Sequence, residues 1–110
     1  MQERQASILT SSGDDDSAAN MELSGEIDVR SAENLRTAAL EVLASGKPVR
    51  VDCSKVEFLD LSAFQILLAL RRDLKQRSLD LELANLPDGV RTTMERAGLG
   101  EHLLTAVLES

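Results

Sequence analysis

Aromatic side chains are nearly absent from this chain. Its 110 residues include two phenylalanines, Phe58 and Phe64, and no tryptophan or tyrosine. A core of ordinary density must therefore be built from leucine, valine, isoleucine and alanine. The same scarcity argues against binding of single-stranded nucleic acid, which depends on aromatic platforms for base stacking.

Cysteine and histidine are equally scarce, with Cys53 and His102 as the only examples. One cysteine cannot form an internal disulfide, and no zinc-ligand spacing is present, so we predict no metal site and no cofactor. Cys53 alternates with polar neighbours and is expected to pack as a small apolar residue. The alternative, a reactive thiol, lacks a second cysteine or an adjacent base.

Catalytic patterns are also missing. A triad of Ser62, His102 and Asp60 can be written down, but Ser62 lacks the Gly-x-Ser-x-Gly turn that exposes a hydrolase nucleophile. There is no phosphate-binding lysine loop and no glycine-rich dinucleotide fingerprint. We therefore predict that the chain is not an enzyme.

Long apolar runs are absent as well. None approaches the roughly 20 residues of a membrane-spanning helix. Residues 1–5 lack the apolar centre of a secretion signal, so a cytoplasmic protein that is not bound to a membrane is expected. The length suits one domain over residues 1–110, with residues 1–6 loose.

Acidic residues are in excess, with 19 aspartates and glutamates against 12 lysines and arginines and a net charge of −7. This balance disfavours nucleic acid and anionic membranes and is compatible with a basic patch on a protein partner. The run Asp14–Asp16 is consecutive, whereas a calcium loop needs alternating ligands, so a solvated turn is expected there.

Segments of strand and helix periodicity alternate along the chain. Strands are predicted at 7–10, 19–24, 49–53 and 79–83, and residues 25–28 are expected to lead out of the sheet. Helices are predicted from Asp28 or Ser31, from Ser62 and from residues 85–88, with a last short helix over 99–108. The order β-β-α-β-α-β-α-α predicts a single-domain α/β fold on a mixed four-stranded sheet whose first two strands pair antiparallel.

Residues 56–68 form the centre of this arrangement. Ser62 and Gln65 have the spacing of a capping box, which makes Ser62 the predicted cap of a helix with buried Leu67 and Leu68. The Ser62 hydroxyl and the Asp60 carboxylate would then lie at a helix N-terminus, where added negative charge such as phosphate is favoured. On the residues alone, Ser62 is either a plain helix cap or a functional hydroxyl.

Several short motifs occur in one order that is similar to a known family. Residues 25–28 read Gly-Glu-Ile-Asp, residues 51–60 end in Phe-Leu-Asp, and residues 60–64 read Asp-Leu-Ser-Ala-Phe. Together with 85–87 and 97–99, they resemble the STAS domain of bacterial anti-sigma factor antagonists over nearly the whole chain. This resemblance implies an STAS-like fold.

The resemblance also implies a function. In regulatory members the serine that matches Ser62 is phosphorylated by a histidine-kinase-like serine kinase, often an anti-sigma factor, and is reset by a serine phosphatase. Such partner switching controls bacterial signalling or transcription. It implies a partner-binding surface around the motif, on a monomer or weak dimer, made by Asp28, Asp60, Leu61, Ser62, Ala63 and Phe64.

Two departures from the family motif concern the same surface. Leu61 replaces a small polar residue, which makes the surface more apolar. Ala63 replaces a glycine, which makes the backbone at the helix start less flexible. The alternative function is a constitutive STAS binding subunit of another complex, such as a lipid-transport ATPase. In that case Ser62 would be only a helix cap.

Overall fold

The computed structural model describes residues 5–13 and 17–98. The predicted order of strands and helices is confirmed over these residues. The predicted last helix, His102 and Asp14–Asp16 lie outside them. In chain order the elements are β1 (Ser7–Ser11), β2 (Ala19–Ile27), a 3-10 turn (Val29–Ser31), α1 (Ala32–Ala44), β3 (Val49–Leu59), α2 (Leu61–Gln76), β4 (Leu81–Ala84) and α3 (Asp88–Arg96).

The four strands form one mixed sheet in the order β1-β2-β3-β4. β1 pairs antiparallel with β2, as predicted, whereas β2 with β3 and β3 with β4 pair in parallel. Each parallel pair is joined through a helix, and α1 packs against α2. Because parallel strands end at the same edge, β2 and β3 deliver the residues that follow them to one place.

The core lies where the sheet meets the helices. Alternate residues of β2 are buried, and Phe64 is the largest side chain that is fully enclosed. The other buried side chains are mostly aliphatic, as the scarcity of aromatics requires. Those that are essentially inaccessible include Met21, Leu23, Ile27, Leu35, Leu59, Leu67, Leu74, Leu83 and Met94.

β2 and β3 extend well beyond their predicted ends, whereas β1 and β4 end within one residue of theirs. β2 continues through 25–27, which we expected to leave the sheet, and β3 continues to Leu59. The register between them shifts at Glu22/Ser24 and again at Gly25/Glu26. In β3 the alternation of buried and exposed residues breaks after Cys53, as expected at a bulge, so the sequence pattern hides the continuing strand. In β2 the alternation runs on to Ile27, and the continuation is hidden by Gly25, a residue type that weakens strands.

Gly25 carries one of these shifts. Its φ is +78°, and a Cβ there would overlap the carbonyl oxygen of Gln5, which passes close to it. Gly46 has a similar φ of +73°, but its surroundings are open. A substitution at Gly46 therefore reports backbone strain alone, whereas one at Gly25 reports backbone strain together with steric overlap.

We expect Gly25→Ala to destabilise the protein more than Gly46→Ala. Both changes place a side chain in a left-handed conformation, at a cost of roughly 1–2 kcal/mol, and only Gly25→Ala adds the clash with Gln5. Urea denaturation of the two variants measures the difference in the free energy of unfolding. Equal losses would show that the Gln5 segment does not pack against Gly25.

Leu67 and Leu68 differ in burial. Leu67 is fully buried, as predicted, whereas Leu68 is only partly buried at the margin of the core, so the prediction for Leu68 was wrong. Consecutive helical residues point about 100° apart, and even a strongly apolar helix turns one of them toward its edge.

Leu67→Ala is expected to lower the free energy of unfolding by about 2–5 kcal/mol, since it leaves a cavity in a packed core. Leu68→Ala, which removes the same atoms from a neighbouring position, should cost clearly less. Chemical denaturation of both variants checks this order, and a larger loss for Leu68→Ala would mean that the helix face is misassigned.

Candidate functional site

The carboxyl ends of β2 and β3 bring two acidic residues together. Ile27 and Leu59 are register partners, and the Asp60 backbone N–H donates to the Ile27 carbonyl oxygen over 3.1 Å. Asp28 and Asp60 follow these two positions directly. They therefore lie at the same end of the sheet, as the partner-binding surface implied by the resemblance requires.

Asp60, and not Ser62, caps α2. Asp60 has an extended backbone, and its Oδ1 accepts from the Ala63 N–H over 3.1 Å. The Ser62 hydroxyl donates to the same Oδ1 over 2.5 Å and lies in the first turn of the helix. The predicted Ser62–Gln65 capping box is therefore wrong, because aspartate is as good a cap as serine and occurs two residues earlier.

Asp28 has a comparable local role on the neighbouring loop. Its carboxylate accepts from the Arg30 N–H over 2.9 Å and caps the 3-10 turn, while Ser31, the other predicted helix start, makes no side-chain cap bond. Arg30 also forms an ion pair with Asp28 at 2.8 Å. These hydrogen bonds from Arg30 hold the pKa of the Asp28 carboxyl below its usual value.

Exposed apolar side chains occur in the same two chain segments as these acids. Among the described residues, five large hydrophobic side chains are exposed, and three of them, Val29, Phe58 and Leu61, belong to this end of the sheet. We call Val29, Phe58 and Leu61 the apolar rim. Clustered exposed hydrophobic residues typically mark an interaction surface.

Of the apolar rim, only Leu61 was predicted from the sequence to belong to the partner-binding surface. Phe58 belongs to the apolar approach to α2 and carried no prediction of its own; it faces outward because the β3 register shifts before it. Val29 follows Asp28 in the 3-10 turn and has no periodic pattern around it. Only a local break in alternation could have indicated that Phe58 is exposed.

Two predicted partner-binding residues do not reach the surface. Ala63 and Phe64 are fully buried and belong to the core. Their positions in the first turn of α2 direct them toward the sheet, while Leu61 remains 53% exposed and Ser62 is half-buried. Ala63 and Phe64 can therefore fix the helix start but cannot contact a partner directly.

Cys53 is buried in β3 and packs as a small apolar residue, as predicted. Loss of hydration raises the pKa of its thiol to about 12, and the nearby Asp52 adds to this increase. A thiol with so high a pKa is protonated at neutral pH, so Cys53 is a poor nucleophile.

The comparison with protein families identifies the fold family. A family model described as "Mlab, STAS domain" matches residues 11–108. The chain belongs to the STAS domain family. A search of curated proteins found no match.

Solved structures share the fold of this STAS domain. An anti-sigma factor antagonist from Mycobacterium paratuberculosis is 26% identical, with 94% of each chain covered and a TM-score of 0.76. The Bacillus cell fate determinant SpoIIAA in its phosphorylated form is 19% identical, with 88% of each chain covered and a TM-score of 0.67. The murine anion transporter Slc26a9 is 18% identical over 94% of this chain and 20% of the transporter, with a TM-score of 0.69.

STAS domains are binding and regulatory folds, and the site described here has the parts of a contact surface. No helix within residues 5–13 and 17–98 has both the length and the apolar character needed to cross a membrane. What the site offers chemically is a hydroxyl, two carboxylates and an apolar rim.

The cap geometry predicts an order of stability. Asp60→Ala removes both hydrogen bonds that Oδ1 accepts and should cost about 0.5–2 kcal/mol. Ser62→Ala removes only the bond from the hydroxyl and should cost less. Thermal or urea unfolding of the two variants measures this order, and a larger loss for Ser62→Ala would restore Ser62 as the cap.

Proposed function

We propose that this STAS domain binds a protein partner through the surface around Ser62, and that phosphorylation of Ser62 releases the partner. The partner is a serine kinase of the histidine-kinase-like type or an anti-sigma factor, and a serine phosphatase reverses the modification. The domain acts by partner switching in bacterial signalling or transcription control. Because the kinase needs ATP, the switch operates in the cytoplasm.

The observation that carries this proposal is the position of the hydroxyl. Ser62 is half-buried at the start of α2, directly beside the exposed Leu61 and in hydrogen-bond contact with Asp60. The apolar rim supplies contact area around it. A change of charge at this one atom would therefore act within the surface that a partner covers.

Electrostatics gives the direction of the switch. A phosphate adds about −1.5 to −2 charges at neutral pH. It would lie beside the Asp60 carboxylate, at the same end of the sheet as Asp28, in a chain whose net charge is already −7. A partner surface fitted to an uncharged hydroxyl would lose binding through repulsion and through the cost of desolvating the phosphate.

The relatives support the same interpretation. One structural neighbour is an anti-sigma factor antagonist, and another, SpoIIAA, has been solved in a phosphorylated form. A protein with this fold thus carries a phosphate. For the present chain, the residue that matches the serine of the family motif is Ser62.

A constitutive binding subunit is the second candidate. The observation that favours it is the bond from Ser62 to Asp60, which gives the hydroxyl a structural role without any modification. In that case the apolar rim would hold a permanent partner, and Ser62 would serve only the helix start.

Substitutions at Ser62 separate the two functions. Ser62→Asp adds a negative charge, and Ser62→Asn has nearly the same size without the charge. We expect Ser62→Asp to weaken binding of a candidate kinase or anti-sigma factor at least about tenfold, or 1.4 kcal/mol, whereas Ser62→Asn should bind nearly as well as the unmodified protein. Isothermal titration calorimetry measures both, and equal affinities for the two variants would end the switch hypothesis.

Modification itself is tested with the same partner. Incubation with the candidate kinase and ATP should add one phosphate, located on Ser62 by mass spectrometry, and Ser62→Ala should remain unmodified. Phosphorylation at another serine, or undiminished phosphorylation of Ser62→Ala, would contradict the assignment.

A further inference from the structure

A groove runs between α1 and α2 on the helical side of the domain. Its volume is about 340 Å³. The walls are apolar, and polar groups occur only at a few points along the lining. The apolar residues that line it are Ala39, Leu40, Leu43, Ile66, Ala69 and Leu70.

The groove is continuous with the surface around Ser62. Ser62 and Gln65 line its end near the start of α2. Leu40 on the α1 wall is 61% exposed. Four of the five exposed large hydrophobic side chains among the described residues thus belong to the apolar rim or to this groove, and the fifth is Leu9 on β1. Ser62 shares the lining of this groove with Leu40 and follows Leu61 of the apolar rim directly in the chain, so it lies where the two surfaces meet.

Opposite charges mark the two ends of the groove. Arg36 lies in the first half of α1, which starts at the same edge of the sheet as Ser62, and Asp73 lies toward the end of α2. Ser62 and Asp73 are eleven positions apart, which is about 16 Å along a helix. Within residues 5–13 and 17–98, neither Arg36 nor Asp73 has an ion-pair partner.

We propose that this groove receives an amphipathic helix of the partner protein. Its apolar stripe would pack between α1 and α2, with an acidic side chain opposite Arg36 and a basic side chain opposite Asp73. The proposal rests on the proposed function for the identity of the partner and extends its contact surface beyond the apolar rim.

The length and the charges favour a helix over a lipid-like ligand. About 16 Å corresponds to three helical turns, and side chains at i, i+3 or i+4 and i+7 would follow the apolar wall. An anionic amphiphile could satisfy Arg36, but it would leave the Asp73 carboxylate beside an apolar chain. A helix can carry groups of both signs along one face.

The test uses a synthetic helical peptide of about 15 residues, or four turns. It carries leucines at i, i+4 and i+7 on an alanine and glutamine background, a glutamate at one end of the stripe and an arginine at the other. Titration into the isotopically labelled full chain should shift the backbone amide signals of α1 and α2 around the groove in two-dimensional NMR spectra.

Variants of the chain locate the binding. Leu40→Ser should lower the affinity for the peptide at least about fivefold. Leu9→Ser is the matched control, because Leu9 on β1 is 60% exposed and does not line the groove; it should leave binding unchanged. Arg36→Glu should lower the affinity for the original peptide. A peptide whose glutamate is changed to arginine should bind the Arg36→Glu variant with the affinity restored.

Three outcomes would overturn the proposal. The first is that millimolar peptide shifts no amide signals of the groove residues. The second is that Leu40→Ser and Leu9→Ser lower the affinity for the peptide equally. The third is that dodecyl phosphate shifts the groove signals and the peptide does not. None of these measurements requires phosphorylation of Ser62. If Ser62→Asp leaves partner affinity unchanged while the peptide result holds, the switch fails and the groove assignment stands.

Discussion

The parallel pairing of β2 with β3 is the constraint on which the site depends. The bond from the Asp60 N–H to the Ile27 carbonyl closes this pairing at its last position. It fixes the loop after β2 beside the start of α2, so that Asp28 and Asp60 lie at the same end of the sheet. Without the parallel pairing of β2 with β3, the residues of the apolar rim would be divided between two independent loops, and α1 and α2 would not begin at a common edge of the sheet.

This pairing reaches its end only because the register shifts twice. The bulges let β3 place Leu59 in the core while Phe58 stays 44% exposed. They also explain what the sequence could predict. Regular alternation and helical spacing predicted the order of elements and the mixed sheet. The end of β3 lost its alternation, and Gly25 interrupted β2 with a residue type that weakens strands, so both continuations were missed. Aspartate and serine are equivalent caps in sequence terms, so choosing between Asp60 and Ser62 required the backbone conformation at Asp60.

The Asp60 carboxylate links helix formation to the state of the serine. One oxygen, Oδ1, accepts both the Ala63 N–H and the Ser62 hydroxyl. A phosphoserine has no hydroxyl hydrogen to donate there, and its oxygens would compete with Asp60 for the amides of the first turn. In the proposed switch, the modification therefore changes the cap of α2 as well as the surface charge, with Ala63 and Phe64 holding the helix start in the core.

The surface around Ser62 combines features that a partner must match together. The apolar rim and the exposed Leu40 favour an apolar contact, while Asp28, Asp60 and the charge of −7 favour basic groups at its border. Charge mainly tunes the rate and specificity of association, whereas buried apolar anchors carry most of the binding energy. A phosphate at the centre of such a contact would be desolvated along with the anchors. One modified atom could therefore offset a large part of the binding energy, which a charge at the periphery could not do.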